Sequence, residues 1–289
     1  MAHAFDRVVV VFNPHSTGDA LERAEELKSG LAERASGLPV ELRPTEYAGH
    51  AREIAREEAG SGSPLIVSVS GDGGYNEVVD GLMKAGDTTA SAAVLAAGNA
   101  NDHRRVVGRQ PLLDAIVARR TDRLDLLRLT VDGEVSHAHS YIGLGITPVV
   151  ALELERGGKG SFKEIVTTVR AFSRFHPFAI EVDGRTQTFD SLVFANIPEM
   201  AKFATLAEDG EPDDGVFEVV LIPHRSKLRT ALTAAKAALR GLGEQPSVRE
   251  YAFTTIDPMP AQIDGEVLEL GARVAVRVDI VPGALSTVR

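Results

Sequence analysis

Ser70-Gly71-Asp72-Gly73-Gly74-Tyr75-Asn76-Glu77 follows the apolar run Leu65 to Val69 and opens a segment containing Val78, Val79 and Leu82 at helical spacing. The order is strand, glycine turn, helix N-terminus. Glycines let the backbone approach an anion closely, the first helical N–H groups lack intrahelical partners, and the helix dipole puts partial positive charge at the same point. A phosphate fits there. Asp72 inside such a turn would repel a bare phosphate, so its presence points to a divalent cation between carboxylate and phosphate oxygens. The alternative is a tight strand-to-helix turn in which Asp72 merely caps the helix. On this segment alone both readings stay open.

The elements around this turn alternate. Short apolar runs at Val8 to Phe12, Val40 to Leu42, Leu65 to Val69 and Ala92 to Leu95 are interleaved with the helical periods Leu21, Ala24, Leu27, Leu31 and Val78 to Met83. Continuous apolar strands between amphipathic helices predict a parallel sheet covered on both faces, and such sheets bind ligands at the carboxyl ends of their strands. Two glycine-bearing loops, Asn13 to Gly18 and Gly71 to Gly74, lie at such ends.

After about Asp122 the pattern changes. Leu124 to Val131, Asp132-Gly133 and Val135 to Ile142 read as a hairpin, as do Ile180 to Val182, Asp183-Gly184 and Thr188 to Ala195. Phe217 to Ile222, Tyr251 to Ile256, Gln262 to Leu270 and Val274 to Val281 read as further strands, with helical stretches at Phe162 to Phe172 and Leu228 to Leu239. The expectation is an α/β nucleotide-binding domain over residues 1–122 and a mainly antiparallel, β-sandwich-like acceptor domain over residues 123–289. The two are expected to pack around a cleft, and the extreme C-terminus is allowed to return to the first domain.

Composition narrows the partners. The 289 residues, 44% hydrophobic, suffice for two cores. A net charge of −10 without a long basic block argues against nonspecific nucleic-acid binding. The absence of cysteine excludes disulfides, thiolate metal sites and cysteine nucleophiles, and is consistent with a reducing compartment. The N-terminus runs straight into Val8 to Phe12 without a secretory pattern, and no apolar run reaches the roughly 18 to 20 residues of a membrane span. The protein is expected to be cytoplasmic, with any membrane contact peripheral at the inner face.

Several segments together resemble the diacylglycerol kinase catalytic family, which includes bacterial lipid kinases and sphingosine kinases and is distantly similar to NAD kinases. Asn13-Pro14-His15-Ser16-Thr17-Gly18 resembles its Asn-Pro-x-Ser-Gly loop with one extra residue, and Thr45 ahead of Gly49-His50-Ala51 sits like the threonine of the next loop. Gly71 to Leu82 resembles Gly-Asp-Gly-Thr-x-Asn-Glu-Val-x-Asn-Gly, and Ala97-Gly98-Asn99-Ala100-Asn101-Asp102 resembles Pro-x-Gly-Thr-x-Asn-Asp. Asp213-Asp214-Gly215-Val216 and Ile263-Asp264-Gly265-Glu266 resemble two later segments. Their order along nearly the whole chain is more specific than any one motif.

The resemblance implies a two-domain kinase that uses ATP and Mg²⁺. Asn13, Ser16, Gly18, Thr45, Gly71, Asp72, Gly73, Gly74, Asn76, Glu77, Gly98, Asn99 and Asn101 would surround ATP, with Asp72 organising magnesium. Glu266 would be the general base on the acceptor hydroxyl. Asp214 and the Val216 carbonyl, more weakly Glu211, would hold a structural magnesium. Asp-Gly-Glu is unspecific by itself, because Asp132-Gly133-Glu134 occurs as well.

Two departures bear on activity. Gly74 and Asn99 stand where the family carries threonine, and losing a hydroxyl donor to a charged group costs roughly 1.5 to 3 kcal/mol if nothing replaces it. The glycine-rich stretch expected after Ala195-Asn196 is replaced by Ile197-Pro198-Glu199-Met200. The resemblance implies a diacylglycerol-like or related lipid as the acceptor. The alternatives are a soluble acceptor such as NAD, or a weak or inactive nucleotide- or lipid-binding member. A homo-oligomer stays open. Residues 162–174 form an amphipathic stretch readable as a lipid-surface helix or an ordinary packed one. Arg104, Arg105 and Arg109 are readable as phosphate neutralisers or a solvated face, and His137 and His139 as structural histidines lacking a third metal ligand.

Overall fold

The computed structural model describes residues 5–16, 19–86, 88–98, 100–145, 177–200, 204–205, 210–224 and 242–289. They fall into two compact units, Met1–Leu126 with Pro282–Arg289, and Leu127–Val281. The division lies inside a continuous strand, β5 (Asp122–Val131), and the last strand, β17 (Ala275–Thr287), carries the chain back into the first unit.

The first unit runs β1 (Arg7–Phe12), α1 (Ala20–Arg34), β2 (Val40–Pro44), α2 (His50–Ala59), β3 (Pro64–Ser70), α3 (Asp72–Ala85), β4 (Ser91–Ala96), α4 (Asp102–Val107) and α5 (Leu112–Ala118). Its four strands are parallel in the order β2-β1-β3-β4. The chain leaves β1 toward one side and later returns to its other side, so the order reverses between β1 and β3. At such a switch point the loops beyond the strands diverge and leave room for a ligand.

Both faces of this sheet are covered. Val8, Val10, Phe12, Leu65, Val67 and Val69 cluster with Ala20, Ala24, Leu27 and Leu31 of α1 and with Leu112, Ala115 and Ile116 of α5. The intervening Val9, Val11, Ile66 and Ala92 are buried as well, as alternation in a doubly covered sheet requires. The helical stripe expected through Leu21 runs through Ala20 instead, and Leu21 is 44% exposed. Helix α2 had no place in the sequence reading although Ala51, Ile54, Ala55 and Ala59 form its buried stripe. Alanine carries little hydrophobic signal beside the three glutamates and two arginines of this segment.

Helices α2 and α3 approach closely at Gly81. A Cβ there would come within 2.4 Å of the Arg52 carbonyl oxygen. The buried Asp80 carboxylate accepts from Lys84 Nζ at 2.6 Å and forms an ion pair with the Arg52 guanidinium, Nε lying 2.8 Å away. Asp80-Gly81, the last part of the recognised signature, therefore serves helix packing.

In the second unit β5 continues into β6 (Glu134–Ala138), β7 (Tyr141–Gly145), β8 (Phe178–Val182), β9 (Arg185–Ala195), β12 (Phe217–Pro223), β13 (Ser247–Val248), β14 (Glu250–Thr255), β15 (Met259–Ile263), β16 (Glu266–Leu270) and β17. These make an 11-stranded sheet with path β16-β15-β7-β9-β8-β14-β17-β5-β6, while β12 joins β9 and β13. A separate small ribbon pairs β10 (Glu199–Met200) with β11 (Ala204–Thr205). The antiparallel sheet curls around Phe189, Leu192, Phe194, Phe217, Phe253 and Met259. Phe194 meets Phe217 edge-on, with centroids 5.9 Å apart.

Two expected strands are divided. Val135 to Ile142 splits into β6 and β7 around His139 and Ser140, and Gln262 to Leu270 is the hairpin β15–β16 around Asp264-Gly265. One residue, Asp264, takes part in both, through its side chain in the first and its backbone in the second. The helical stretches expected at Phe162 to Phe172 and Leu228 to Leu239 lie outside the described residues. Among the described residues no helix is long and apolar enough to cross a membrane.

Candidate functional site

Loops at the carboxyl ends of β1, β3 and β4 carry most residues singled out by sequence. After β1, Asn13 Oδ1 accepts the His15 N–H at 2.9 Å and the Asn13 carbonyl accepts the Ser16 N–H at 3.1 Å, folding the chain into a compact turn. Thr45 donates its N–H to the Phe12 carbonyl at 2.8 Å, which brings it to the same strand end. Gly18 and Asn99 lie outside the described residues.

The β3 and β4 loops touch through backbone. A Cβ on Gly98 would meet Gly71 Cα at 2.4 Å, and one on Gly71 would meet Gly98 Cα at 3.1 Å. Only glycine at 98 permits this approach. Asn101 holds the second loop in shape: its Oδ1 accepts the Gly98 N–H at 3.0 Å and its Nδ2 donates to the Gly98 carbonyl at 2.8 Å. Its left-handed φ of 53° is one that asparagine tolerates better than most residues. Asn101 thus shapes the loop from within.

Gly71 is the N-cap of α3 and supplies no side-chain cap. The first-turn N–H groups, which no intrahelical carbonyl can satisfy, are left for other acceptors. The Asp72 carboxylate reaches the start of a second helix. Its Oδ2 accepts the Asp102 N–H at 3.0 Å and its Oδ1 the His103 N–H at 3.1 Å, so the carboxylate caps α4 with both oxygens. Glu77 Oε1 likewise accepts the Gly49 N–H at 3.3 Å, at the start of α2. Asn76 is buried in the same turn. The acidic residues of the signature thereby tie three helix starts together.

Asp72→Asn leaves one acceptor oxygen for two N–H groups. It is expected to cost about 1 kcal/mol of stability in magnesium-free buffer, read from urea unfolding. An unchanged midpoint would remove the capping role.

The arginines beyond this loop are engaged within the first unit. Arg104 donates to the Gln110 carbonyl and is held below its ordinary range by burial. Arg105 pairs with the fully buried Asp102 at 2.7 Å, and Arg109 lies 4.0 Å from Asp122. These partners favour a structural part for Arg105 over phosphate neutralisation.

In the second unit Glu266 is exposed at the start of β16. Immediately before it, the completely buried Asp264 carboxylate accepts backbone N–H groups from His139 at 2.6 Å, Ser140 at 3.1 Å and Tyr141 at 2.8 Å. Those bonds replace ladder bonds and end β6 before β7 begins. Asp264 and Gly265 take φ of 46° and 99°, the left-handed pair of a two-residue hairpin turn. Asp132-Gly133 forms the same turn at φ 50° and 87°, but Asp132 is exposed. Burial and three N–H bonds separate the two Asp-Gly-Glu segments. The His139 ring contacts Ser140 Oγ at 2.7 Å and lies 3.4 Å from Asp264. All three are fully buried, so this resemblance to a hydrolytic triad has no substrate access.

Asp214 Oδ1 accepts the Val216 N–H at 3.0 Å. The buried Glu218 carboxyl nearby is raised above its ordinary range, first by burial and then by the Asp214 charge. Glu211 is exposed. Among the described residues no group of three or more His, Asp or Glu forms a metal cage. A magnesium ion that keeps most of its water needs only one or two carboxylates, and the hard oxygens of Asp214 and Val216 fit that donor type.

The raised Glu218 carboxyl makes a pH prediction. Between its ordinary 4.5 and its raised value the native state holds a proton that the unfolded chain has released, so stability falls as pH rises through that window. Glu218→Gln is expected to raise the melting temperature at pH 7 and to give no gain at pH 4. Equal shifts at both pH values would contradict it.

Sequence reasoning missed two residues of this region. Ser70, with Ser68 before it, closes β3 against the glycine turn, and its signal was a hydroxyl pair adjacent to Gly71. Asp264 was read as part of a motif, without the anchoring role that only long-range partners define.

Residues 7–129 match the diacylglycerol kinase catalytic domain family. A Chromohalobacter salexigens protein named "Probable lipid kinase YegS-like" is 27% identical, over 81% of this chain and 79% of its own. The Bacillus subtilis diacylglycerol kinase is 24% identical, over 90% of this chain and 89% of its own. A solved diacylglycerol kinase from Bacillus anthracis superposes with a TM-score of 0.75 at 18% identity, covering 100% of this chain and 98% of that one. The last likeness concerns the fold.

Proposed function

Since residues 7–129 match the diacylglycerol kinase catalytic domain family and lipid kinases are similar along most of the chain, we propose that it is an ATP- and Mg²⁺-dependent lipid kinase. It transfers the γ-phosphate of ATP to a hydroxyl of a diacylglycerol-like or related lipid. The observation that carries this reading is the pairing of the Gly71 and Gly98 loops at the carboxyl ends of β3 and β4. The uncapped start of α3 lies in the same place.

In this reading Gly71 to Gly74 and the Gly98 loop bind the phosphates through backbone N–H groups, with Asn13, Ser16 and Thr45 at the neighbouring strand end. Asp72 would organise one magnesium beside the phosphates, and Asp214 with the Val216 carbonyl would hold a separate, structural magnesium in the second unit. The ion beside the phosphates would supply neutralisation of their charge. Glu266 takes the proton from the acceptor hydroxyl as its oxygen bonds to the γ-phosphorus. The bond to the β-phosphate oxygen breaks and ADP leaves. Phosphoryl transfer passes through a loose transition state, so positioning and one carboxylate base suffice without a covalent intermediate. We assign the protein to the cytoplasm, with peripheral contact at the inner membrane face where a lipid acceptor resides.

The test is phosphate transfer from labelled ATP with Mg²⁺, offering diacylglycerol, sphingoid bases and NAD in parallel. A phosphorylated lipid supports the reading. Phosphorylated NAD alone would replace it with a soluble-acceptor kinase, and ATP binding without any product would replace it with a binding protein.

A further inference from the structure

Gly74 stands in the first turn of α3, where no left-handed φ requires a glycine. A glycine inside a helix costs about 1 kcal/mol relative to alanine, so its presence needs another reason. The structure contains one. A Cβ at position 74 would lie 2.7 Å from Ser70 Cβ and 2.8 Å from Ser70 Oγ. Contact with a Cβ, unlike contact with the end of a flexible chain, cannot be relieved by rotation. Ser70 therefore occupies the room that a side chain at 74 would need.

The Ser70 hydroxyl also has a defined supply of hydrogen bonds. Its Oγ lies 2.7 Å from Ser68 Oγ, which is buried, and it donates to the Gly71 carbonyl at 2.9 Å. That carbonyl also accepts the Tyr75 N–H at 3.1 Å as the first bond of α3. The Ser70 proton can turn away from Gly71 without leaving the carbonyl unsatisfied, while Ser68 continues to donate to Ser70. A hydroxyl free to turn, backed by a second buried hydroxyl, is suited to an anion at the half-buried mouth of β3.

We propose that Ser70 and Gly74 form one steric unit in which the Ser70 hydroxyl is the nucleotide-phosphate contact of this loop. The Ser70 hydroxyl takes over from a side chain that position 74 cannot carry. This rests on the kinase reading above for the identity of the anion. The steric half does not.

Four proteins test it: unsubstituted, S70A, G74T and S70G/G74T. Each is measured for thermal unfolding without nucleotide and for ATP affinity by calorimetry with Mg²⁺. S70A is expected to weaken ATP about tenfold or more while staying folded at the temperature of the titration, with some loss of unfolding temperature because the buried Ser68 hydroxyl loses its acceptor. G74T is expected to unfold at lower temperature, and S70G/G74T to recover both unfolding temperature and affinity. Parent-like ATP affinity in S70A overturns the phosphate contact and leaves the kinase reading intact. Parent-like unfolding of G74T overturns the steric unit. A double variant that regains stability without affinity reduces the pair to packing and overturns the contact. No ATP binding by the unsubstituted protein overturns the contact together with the kinase reading, while the nucleotide-free unfolding cycle still decides the steric half.

Discussion

Glu266→Gln should reduce phosphate transfer by about 10² to 10⁴-fold, the range by which a positioned general base accelerates proton transfer, while ATP binds as before. The substitution keeps size and hydrogen-bonding reach and removes only the basic lone pair. Glu266 is exposed at the first position of β16 and paired in register with Ile263, so the amide requires no repacking of a buried side chain at 266. The measurement is a single-turnover assay beside calorimetric ATP titration. A loss confined to turnover supports the base. Full turnover in the variant would remove Glu266 from the mechanism, and the base would have to be sought among other carboxylates.

Asp264→Asn should be the most damaging isosteric change in the second unit. The carboxylate has no exposure and accepts three backbone N–H groups. An amide has one acceptor oxygen, and its NH₂ group would face donors. Hydrogen bonds to charged groups are worth about 1.5 to 3 kcal/mol each, so a loss of about 3 kcal/mol or more in unfolding free energy is expected from denaturant titration. The same turn carries Glu266, so transfer should fall even at temperatures where the variant remains folded. ATP affinity should be retained, since the proposed nucleotide residues belong to the first unit. A variant as stable as the parent would show that the N–H groups of residues 139–141 find other partners without strain.

The first unit was legible because its signals are local. Four apolar residues, Leu65, Ile66, Val67 and Val69, interrupted only by Ser68, then a glycine turn, then a helical period, can fold in few ways, and β3 followed by α3 is the result. The same local logic failed at α2, whose buried stripe is mostly alanine, and at Leu21, where one position decides between core and solvent. In the second unit, hairpins with Asp-Gly turns were read from sequence at residues 132–133 and 183–184. The division of Val135 to Ile142 was not, because its cause lies about 125 residues away in Asp264.

The candidate site divides along the same line. Which residues have the chemistry for phosphate, magnesium and proton transfer was determined by sequence, since residue type and motif order survive without coordinates. Tertiary structure decided how those residues are used. Asp72, read as a cap for its own helix or a magnesium ligand, holds the start of α4. Asp80-Gly81 packs two helices, and Gly74 answers to Ser70. A carboxylate's partners are fixed by whichever backbone donors the fold brings within 3 Å or so, and a glycine's necessity by what stands where its Cβ would be. Neither quantity is written in the chain until distant segments meet.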